Sequence, residues 1–424
     1  MSSRLNLRGL FIARIGTEGN DLLGPSYDRI NTIHGMGGDD TITGGNLSDF
    51  LYGGTGNDRI SAGGGNDILQ GGAGRDTIQA GAGDDLIYGS DSSEGDQVDG
   101  GTGFDTISYE NRSRGVDINL GAGWANDMTG GQLLDTLISI ENARGTQKND
   151  MIVGSGASNR LEGLDGYDYI LGGGGNDFID GGNLGDVLYG GTGDDTILGG
   201  AGNDELVGEE GADLLDGGSG IDTAFFGASG SGVLVNLETG RGHGGHAEGD
   251  RLIGIENLSG SNMADTFFGN DVANVLNGWG GKDSLYGHAG NDTLIGGLGA
   301  DTIVGGAGAD VLWGGQTTGA DQSRDVFAYL TVSDSRAREW DRIMDFDARH
   351  DVIDLSAIDA NPYRTGNNSF AFIGDDAISG VGQVSVRQIG GDTWVYVNTD
   401  ANVLPEMAIR LDGLHDLTAA NFIL

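Results

Sequence analysis

The sequence predicts an all-β protein whose body is a parallel β-roll, a solenoid of very short strands, closed by a β-rich cap domain at its C-terminal end. Three observations predict it. Glycine supplies 85 of the 424 residues, a nine-residue pattern recurs in three blocks, and 64 acidic residues face 22 basic ones for a net charge of −42. Glycine at about one residue in five without a three-residue period is not collagen, and a longer fixed period decides the fold of the whole chain.

The pattern is G-G-x-G-x-D-x-U-x, with U an aliphatic residue. It is plain in GGGGNDFID (172–180), GGTGDDTIL (190–198), GGAGNDELV (199–207) and GGSGIDTAF (217–225). The first block spans 16–108, with lengthened units at 25–34 and 89–99. The second spans 145–225 as nine units without a slip. The third spans 260–325, and its last unit is lengthened around 316–324. Residues 1–15 are a lead-in, 109–144 and 226–259 are degenerate inserts, and 326–424 form the cap. Glycines in the first six positions allow backbone angles that residues with a Cβ resist. The last three positions are a short strand with U pointing inward. Two units therefore make one coil of 18 residues, and stacked coils place parallel strands about 4.8 Å apart. Ile60, Leu69, Ile78 and Ile87 are expected to fill the thin interior, alternating between its two sheets.

Stacking lines up the sixth-position carboxylates along each edge. The first block contributes Asp21, Asp40, Asp49, Asp58, Asp67, Asp76, Asp85 and Asp105. The second contributes Asp150, Asp168, Asp177, Asp186, Asp195, Asp204, Asp213 and Asp222, and the third Asp283, Asp292, Asp301 and Asp310. Asp177, Asp195 and Asp213 fall on one edge, with Asp186, Asp204 and Asp222 on the other. Carboxylates one strand spacing apart repel by roughly 1 kcal/mol in water and several-fold more near protein. A core one side chain thick does not offset such files. A hard cation between successive loops does, because Ca²⁺ takes six or more oxygens from carboxylates and main-chain carbonyls. Glycines leave those carbonyls free to face it. They are Gly54, Gly56, Gly72 and Gly74 in the first block, and Gly172, Gly173, Gly175, Gly190, Gly191, Gly193, Gly199, Gly200, Gly202 and Gly217 in the second. In the third block they are Gly296, Gly297, Gly299, Gly305, Gly306 and Gly308.

These residues resemble the RTX (repeats-in-toxin) family, whose nonapeptides form a calcium-binding parallel β-roll. The resemblance covers roughly 16–108, 145–225 and 260–328. It implies that each Ca²⁺ lies between loops two units apart and is bound by the sixth-position Asp of both. Carbonyls of positions two and four would come from one loop, and of positions one and three from the other. On this chain one such site would use Gly191, Gly193 and Asp195 with Gly208, Glu210 and Asp213. Asn31, Asn159 and Asn274 depart from the pattern, as do the glycine-poor units 154–162, 260–268 and 269–277. Those loops are expected to bind little or no calcium, and replacing Asn274 by Ala is expected to matter little. On the order of fifteen to twenty sites remain.

Beyond residue 325 glycine thins and aromatics increase. Val326-Phe327-Ala328-Tyr329, Phe370-Ala371-Phe372-Ile373 and Trp394-Val395-Tyr396-Val397 read as strands. The run DRIMDFDARHDVIDLSAID (341–359) and the ending Asn421-Phe422-Ile423-Leu424 are similar to the C-terminal region of serralysin-type metalloproteases. That likeness implies a cap on the roll and an uncleaved type I secretion signal, hence an exporter as partner and a Gram-negative extracellular or cell-surface setting. A Sec-type signal is not expected, since the N-terminus has only the short apolar patch Leu10-Phe11-Ile12. The two inserts resemble each other: GVDINL (115–120) and DTLISIEN (135–142) parallel GVLVNL (232–237) and DRLIGIEN (250–257). At 36 and 34 residues each is close to two coils, and degenerate coils with outward loops are preferred to flexible spacers.

No catalytic apparatus is evident, and the chain is not expected to be an enzyme. The zinc helix H-E-x-x-H and the elbow G-x-S-x-G are missing. His243 and His246 with Glu248 lie in a glycine-rich stretch and read as a surface loop. Zero cysteines leave neither disulfides nor thiolate sites. The negative balance argues against nucleic acid and anionic membranes as partners, and no apolar run reaches the eighteen or so residues of a membrane span. The expected function is a secreted calcium-binding structural or binding protein that folds on calcium outside the cell, in surface attachment, matrix or a surface layer. The rivals are the carrier portion of an exoenzyme (peptidase, lipase or polysaccharide epimerase) and a pore-forming or host-signalling protein. Self-association and a cell-surface or glycan partner are left open.

Overall fold

The structure, a computed structural model, describes residues 11–26, 29–90, 94–128, 130–317, 322–336 and 338–424. Most of the expected lead-in lies outside the described residues. The chain is a parallel β-solenoid, nearly all β, and divides into two compact units. One comprises 1–206 with 216–220, the other 207–215 with 221–424.

In the first unit two walls face each other. One stacks Ile30–Gly37, Phe50–Thr55, Ile68–Ala73 and Leu86–Tyr88 in parallel, with Ile33, Leu51, Leu69 and Ile87 in register. The other stacks Thr41–Thr43, Arg59–Gly64 and Thr77–Ala82, with Ile42, Ile60 and Ile78 in register. These side chains are 0% exposed. The core is a single file of aliphatics from each wall, so each coil's burial is worth only a few kcal/mol before entropy is counted.

The insert at 109–144 treats the walls differently. The first wall steps directly from Thr106–Ser108 to Asn142–Arg144 and on to Arg160–Asp165. The second gains three strands between Asp96–Thr102 and Met151–Ser155: Leu133–Ile138, Trp124–Asp127 and Val116–Asn119, joined by antiparallel pairing. The insert is thus one coil whose second-wall segment folds into a meander, where the sequence suggested two coils.

In the second unit the insert at 226–259 likewise adds a meander to one wall only. Leu234–Asn236, Arg241–His243 and Arg251–Ile253 form the meander, while Thr223–Phe225 pairs directly with Asn257–Ser259. Past the third block the coils continue into the C-terminal region. Val326–Ala328 pairs with Val352–Asp354 and that strand with Phe422–Ile423, all parallel. Opposite, Val311–Trp313, Asp341–Ile343 and Met407–Leu411 continue the stack. Met407–Leu411 then turns antiparallel with Asp392–Asn398, and that strand with Gln383–Ile389, which pairs in parallel with Ala371–Phe372. No helix among the described residues is long and apolar enough to cross a membrane.

Candidate metal centre

Each nonapeptide sets its sixth residue where turn becomes strand. The carbonyl of Asp58 accepts the Thr77 amide one coil on, at 2.9 Å, and its own amide donates to Asp76 Oδ1 at 2.7 Å. The same link joins Asp40 to Asp58 (2.8 Å), Asp49 to Asp67 (2.6 Å) and Asp67 to Asp85 (2.7 Å). It joins Asp150 to Asp168 and Asp168 to Asp186 at 2.8 Å. In the second unit it joins Asp283 to Asp301 and Asp292 to Asp310 at 2.8 Å. Within each unit these links line the carboxylates up in files along the edges of the coils.

Each link uses one carboxylate oxygen. The other, Oδ2, is buried with no hydrogen-bond partner in Asp40, Asp58, Asp67, Asp76, Asp85, Asp105, Asp168, Asp177, Asp186, Asp283, Asp292 and Asp310. A buried charged oxygen without a partner is strongly unfavourable. A Cβ on Gly53 would collide with both Asp58 Oδ2 and the Gly71 carbonyl, so those two oxygens converge on the space a side chain would fill. Gly163 repeats this with Asp168 and Gly181, and Gly287 with Asp292 and Gly305. From the coil below come the second- and fourth-position carbonyls: those of Gly54 and Gly56 face Gly72 (φ +111°) and Gly74 (φ +128°). The third-position carbonyl of Ala73 instead accepts the Gly56 amide at 2.8 Å. Among the described residues no three His, Asp or Glu side chains converge, so the donor set is oxygen-only and largely main-chain. That chemistry suits a hard cation such as Ca²⁺.

The electrostatics agree. Burial, aided by neighbouring carboxylates and opposed by the amide bonds, pushes Asp67, Asp168 and Asp283 up to about 8. Burial and a like-charged neighbour push Asp186 and Asp292 up to about 7. Without a cation these sites hold protons near neutrality.

The second position decides whether a loop is open. Where it is Thr17, Gly45, Thr146 or Ser261, its amide donates to Oδ2 of the loop's own Asp21, Asp49, Asp150 or Asp265, at 2.6, 2.7, 2.5 and 2.7 Å. Asp21, Asp49 and Asp150, expected as ligands, therefore have their outer oxygen engaged. Where the second residue takes positive φ the amide turns away and Oδ2 stays open. Non-glycine Met36, Leu164, Trp279 and His288 do so at φ 83°, 85°, 69° and 77°, at a cost of about 1–2 kcal/mol each. Asn31, Asn159 and Asn274 are donors: their side-chain nitrogens bond Asp49 Oδ1 (2.9 Å), the Glu141 carbonyl (2.6 Å) and the Glu256 carbonyl (2.7 Å).

Sequence reading missed the carboxylates that carry the files through irregular coils. Asp76 bonds Asp96, and Asp96 bonds Asp135 (2.8 and 2.9 Å). Asp105 bonds Glu141 and Asp222 bonds Glu256 (3.0 and 2.9 Å). Asp213 bonds Asp250 (2.9 Å), Asp301 bonds Asp325 (2.9 Å), Asp325 bonds Asp351 (3.0 Å) and Asp310 bonds Asp341 (3.0 Å). The signal that finds the aspartates among them is D-x-U at any loop length, as in DTLI (135–138) and DRLI (250–253). Beside His243 and His246 in the sequence, Glu248 accepts the Gly244 amide at 2.7 Å.

Two family models match. RTX calcium-binding nonapeptide repeat (4 copies) matches 27–60, 43–78, 61–93, 153–188 and 189–224. Peptidase M10 serralysin C terminal matches 272–424, opening inside the third block. No curated protein matches. Among solved structures, the chain is similar to two subunits of the Azotobacter vinelandii mannuronan C5-epimerase. AlgE6R3 is 30% identical over 39% of this chain and 80% of that one, with a TM-score of 0.20. AlgE6R2 is 26% identical over 39% and 90%, at 0.21. The extracellular lipase LipA from Serratia marcescens is 20% identical over 59% and 40%, at 0.25.

Proposed function

For a chain that carries RTX calcium-binding nonapeptide repeats and a serralysin C-terminal region, we propose a secreted protein that folds on calcium outside the cell into a structural or binding solenoid. The type I exporter is its route, and surface attachment, matrix or a surface layer its setting. One observation carries the reading: a dozen buried Asp Oδ2 atoms without a partner, which at Gly53, Gly163 and Gly287 converge with a main-chain carbonyl of the next coil. One calcium lies between each pair of open successive loops. Between 53–58 and 71–76 the carbonyls of Gly54, Gly56 and Gly71 would hold it with Asp58 and Asp76. The ion supplies the positive charge that lets both files ionise, and its binding free energy is folding free energy.

Circular dichroism during a calcium titration tests this. The metal-free chain should be largely unfolded and should gain β structure cooperatively at millimolar calcium, whereas magnesium, which needs tight octahedral geometry, substitutes poorly. Native-like β signal at pH 8 in excess chelator would overturn the reading. Imaging the calcium-loaded protein separates the settings: filaments or a lattice favour a matrix or surface layer, and a monomer favours attachment or the exoenzyme-carrier alternative.

A further inference from the structure

The two inserts share one plan, marked by three matching positions, and differ at two of them. After the strand Thr106–Ser108 come Tyr109, Arg112 and then Asp135; after Thr223–Phe225 come Phe226, Ser229 and then Asp250. Both aromatics are buried, and both acids continue a file: the Asp96 amide donates to Asp135 Oδ1 and the Asp213 amide to Asp250 Oδ1, each at 2.9 Å. Asp250 Oδ2 is then left buried without a partner, like the open loops of the repeats. Asp135 Oδ2 accepts the Tyr109 hydroxyl at 2.6 Å and the Ser90 amide at 3.0 Å. Phe226 has no hydroxyl to offer.

Arg112 completes the difference. Its side chain is only 7% exposed. Nη1 donates to the Ser90 carbonyl at 2.7 Å, and Nη2 pairs with Asp127 Oδ2 at 3.0 Å. Its charge also bears on Asp135. Ser90 stands at the second position of its lengthened unit, the position whose carbonyl faces the inter-coil gap elsewhere. The guanidinium therefore sits among a second-position carbonyl and two acidic side chains, the donor set assigned to a cation in the repeats. At the matching place in the other insert Ser229 has no charge.

We propose that Arg112 is a built-in cation, filling a latent calcium site so that the first insert holds its file together without an ion, while the second insert requires one at Asp250. The inference rests on the reading that cations occupy the gaps between loops. A guanidinium suits the task because it stays charged when buried and spreads its donors in a fixed fork.

The test counts bound calcium by native mass spectrometry on the full chain and follows folding by circular dichroism. Arg112→Ala should bind one more ion than the unaltered chain, with its folding midpoint moved to higher calcium, because an external ligand replaces an intramolecular one. The paired substitution Phe226→Tyr with Ser229→Arg should bind one ion fewer and fold at lower calcium. An Arg112→Ala chain that folds with an unchanged ion count overturns the proposal. Should that variant fail to fold at any calcium concentration, the graft decides, and an unchanged count there overturns it. If the unaltered chain itself does not fold on calcium, the function proposed above is what fails.

Discussion

The side-chain nitrogen of Asn274 donates to the main-chain carbonyl of Glu256 at 2.7 Å, one 18-residue coil earlier in the chain. Asn159 makes the matching bond to Glu141 at 2.6 Å. Asn274 is 2% exposed and its oxygen accepts the Asn270 amide at 2.8 Å. An amide thus joins coils through hydrogen bonds where a carboxylate would need an ion. The sequence suggested that Asn274→Ala would matter little; these buried bonds lead us to expect a larger effect. Losing a buried donor and acceptor should cost about 1–3 kcal/mol, read as a lower melting temperature in saturating calcium with no change in bound ions.

Asp67→Ala should behave differently. Asp67 bonds the Asp49 amide through Oδ1 and keeps Oδ2 open, in a loop between two neighbours of its own file. We expect fewer bound ions, a higher calcium midpoint and lower cooperativity, at a cost of several kcal/mol for a lost charged ligand. A calcium titration beside Asn274→Ala in identical salt checks it; equal midpoint shifts would refute the distinction between open loops and amide-linked ones.

The pH response follows from the raised carboxyls. Asp67, Asp168 and Asp283 sit near 8 when folded without metal, and Asp186 and Asp292 near 7, against about 3.9 unfolded. The metal-free fold binds more protons than the unfolded chain between those values, so its stability falls as pH rises. That contribution is fully present below about pH 4 and lost as pH passes 7–8. In chelator, β structure should be greater at pH 5 than at pH 8. With calcium the order reverses, because protons compete for the same oxygens. Circular dichroism with and without chelator across this range checks both signs.

Backbone strain at the second position is also testable. Met36 is 46% exposed at φ +83°. Met36→Gly should relieve strain and stabilise the calcium-loaded fold by up to about 1 kcal/mol. Gly72→Ala does the opposite: at φ +111° its Cβ would strike the Gly54 carbonyl, costing about 1–3 kcal/mol and displacing an oxygen aimed at the gap. Chemical denaturation at fixed free calcium measures both.

Removing residues 421–424 should block export, and it also removes a wall strand. Phe422 pairs with Ile353, is 7% exposed and lies 5.2 Å from the Phe372 ring; Asn421 Nδ2 donates to the Ala348 carbonyl at 2.7 Å. The truncated chain should lose about 3–5 kcal/mol, the cost of deleting a buried Phe, while calcium still induces β structure in the repeats. Thermal melts in saturating calcium measure the first effect and a secretion assay the second.

The nine-residue period determined by itself the parallel β-roll, its aliphatic interior and the demand for a cation, because a local pattern that repeats must stack on itself. Ile60 and Ile78 lie in register as the period requires. What the tertiary structure decided lies where the period breaks. Asp135 and Asp250 sit 39 and 37 residues from the amides they accept, and only folding of the inserts brings them into the files. The engaged oxygens of Asp21, Asp49 and Asp150 depend on the backbone angle one position into the loop, which Met36 and Thr17 settle in opposite senses. The charge on Arg112 became part of a file because the insert carries it into a gap where its neighbours are a carbonyl and acids. Period is written in the sequence; which oxygen meets which donor across a coil is a distance, and it exists only once the coils are stacked.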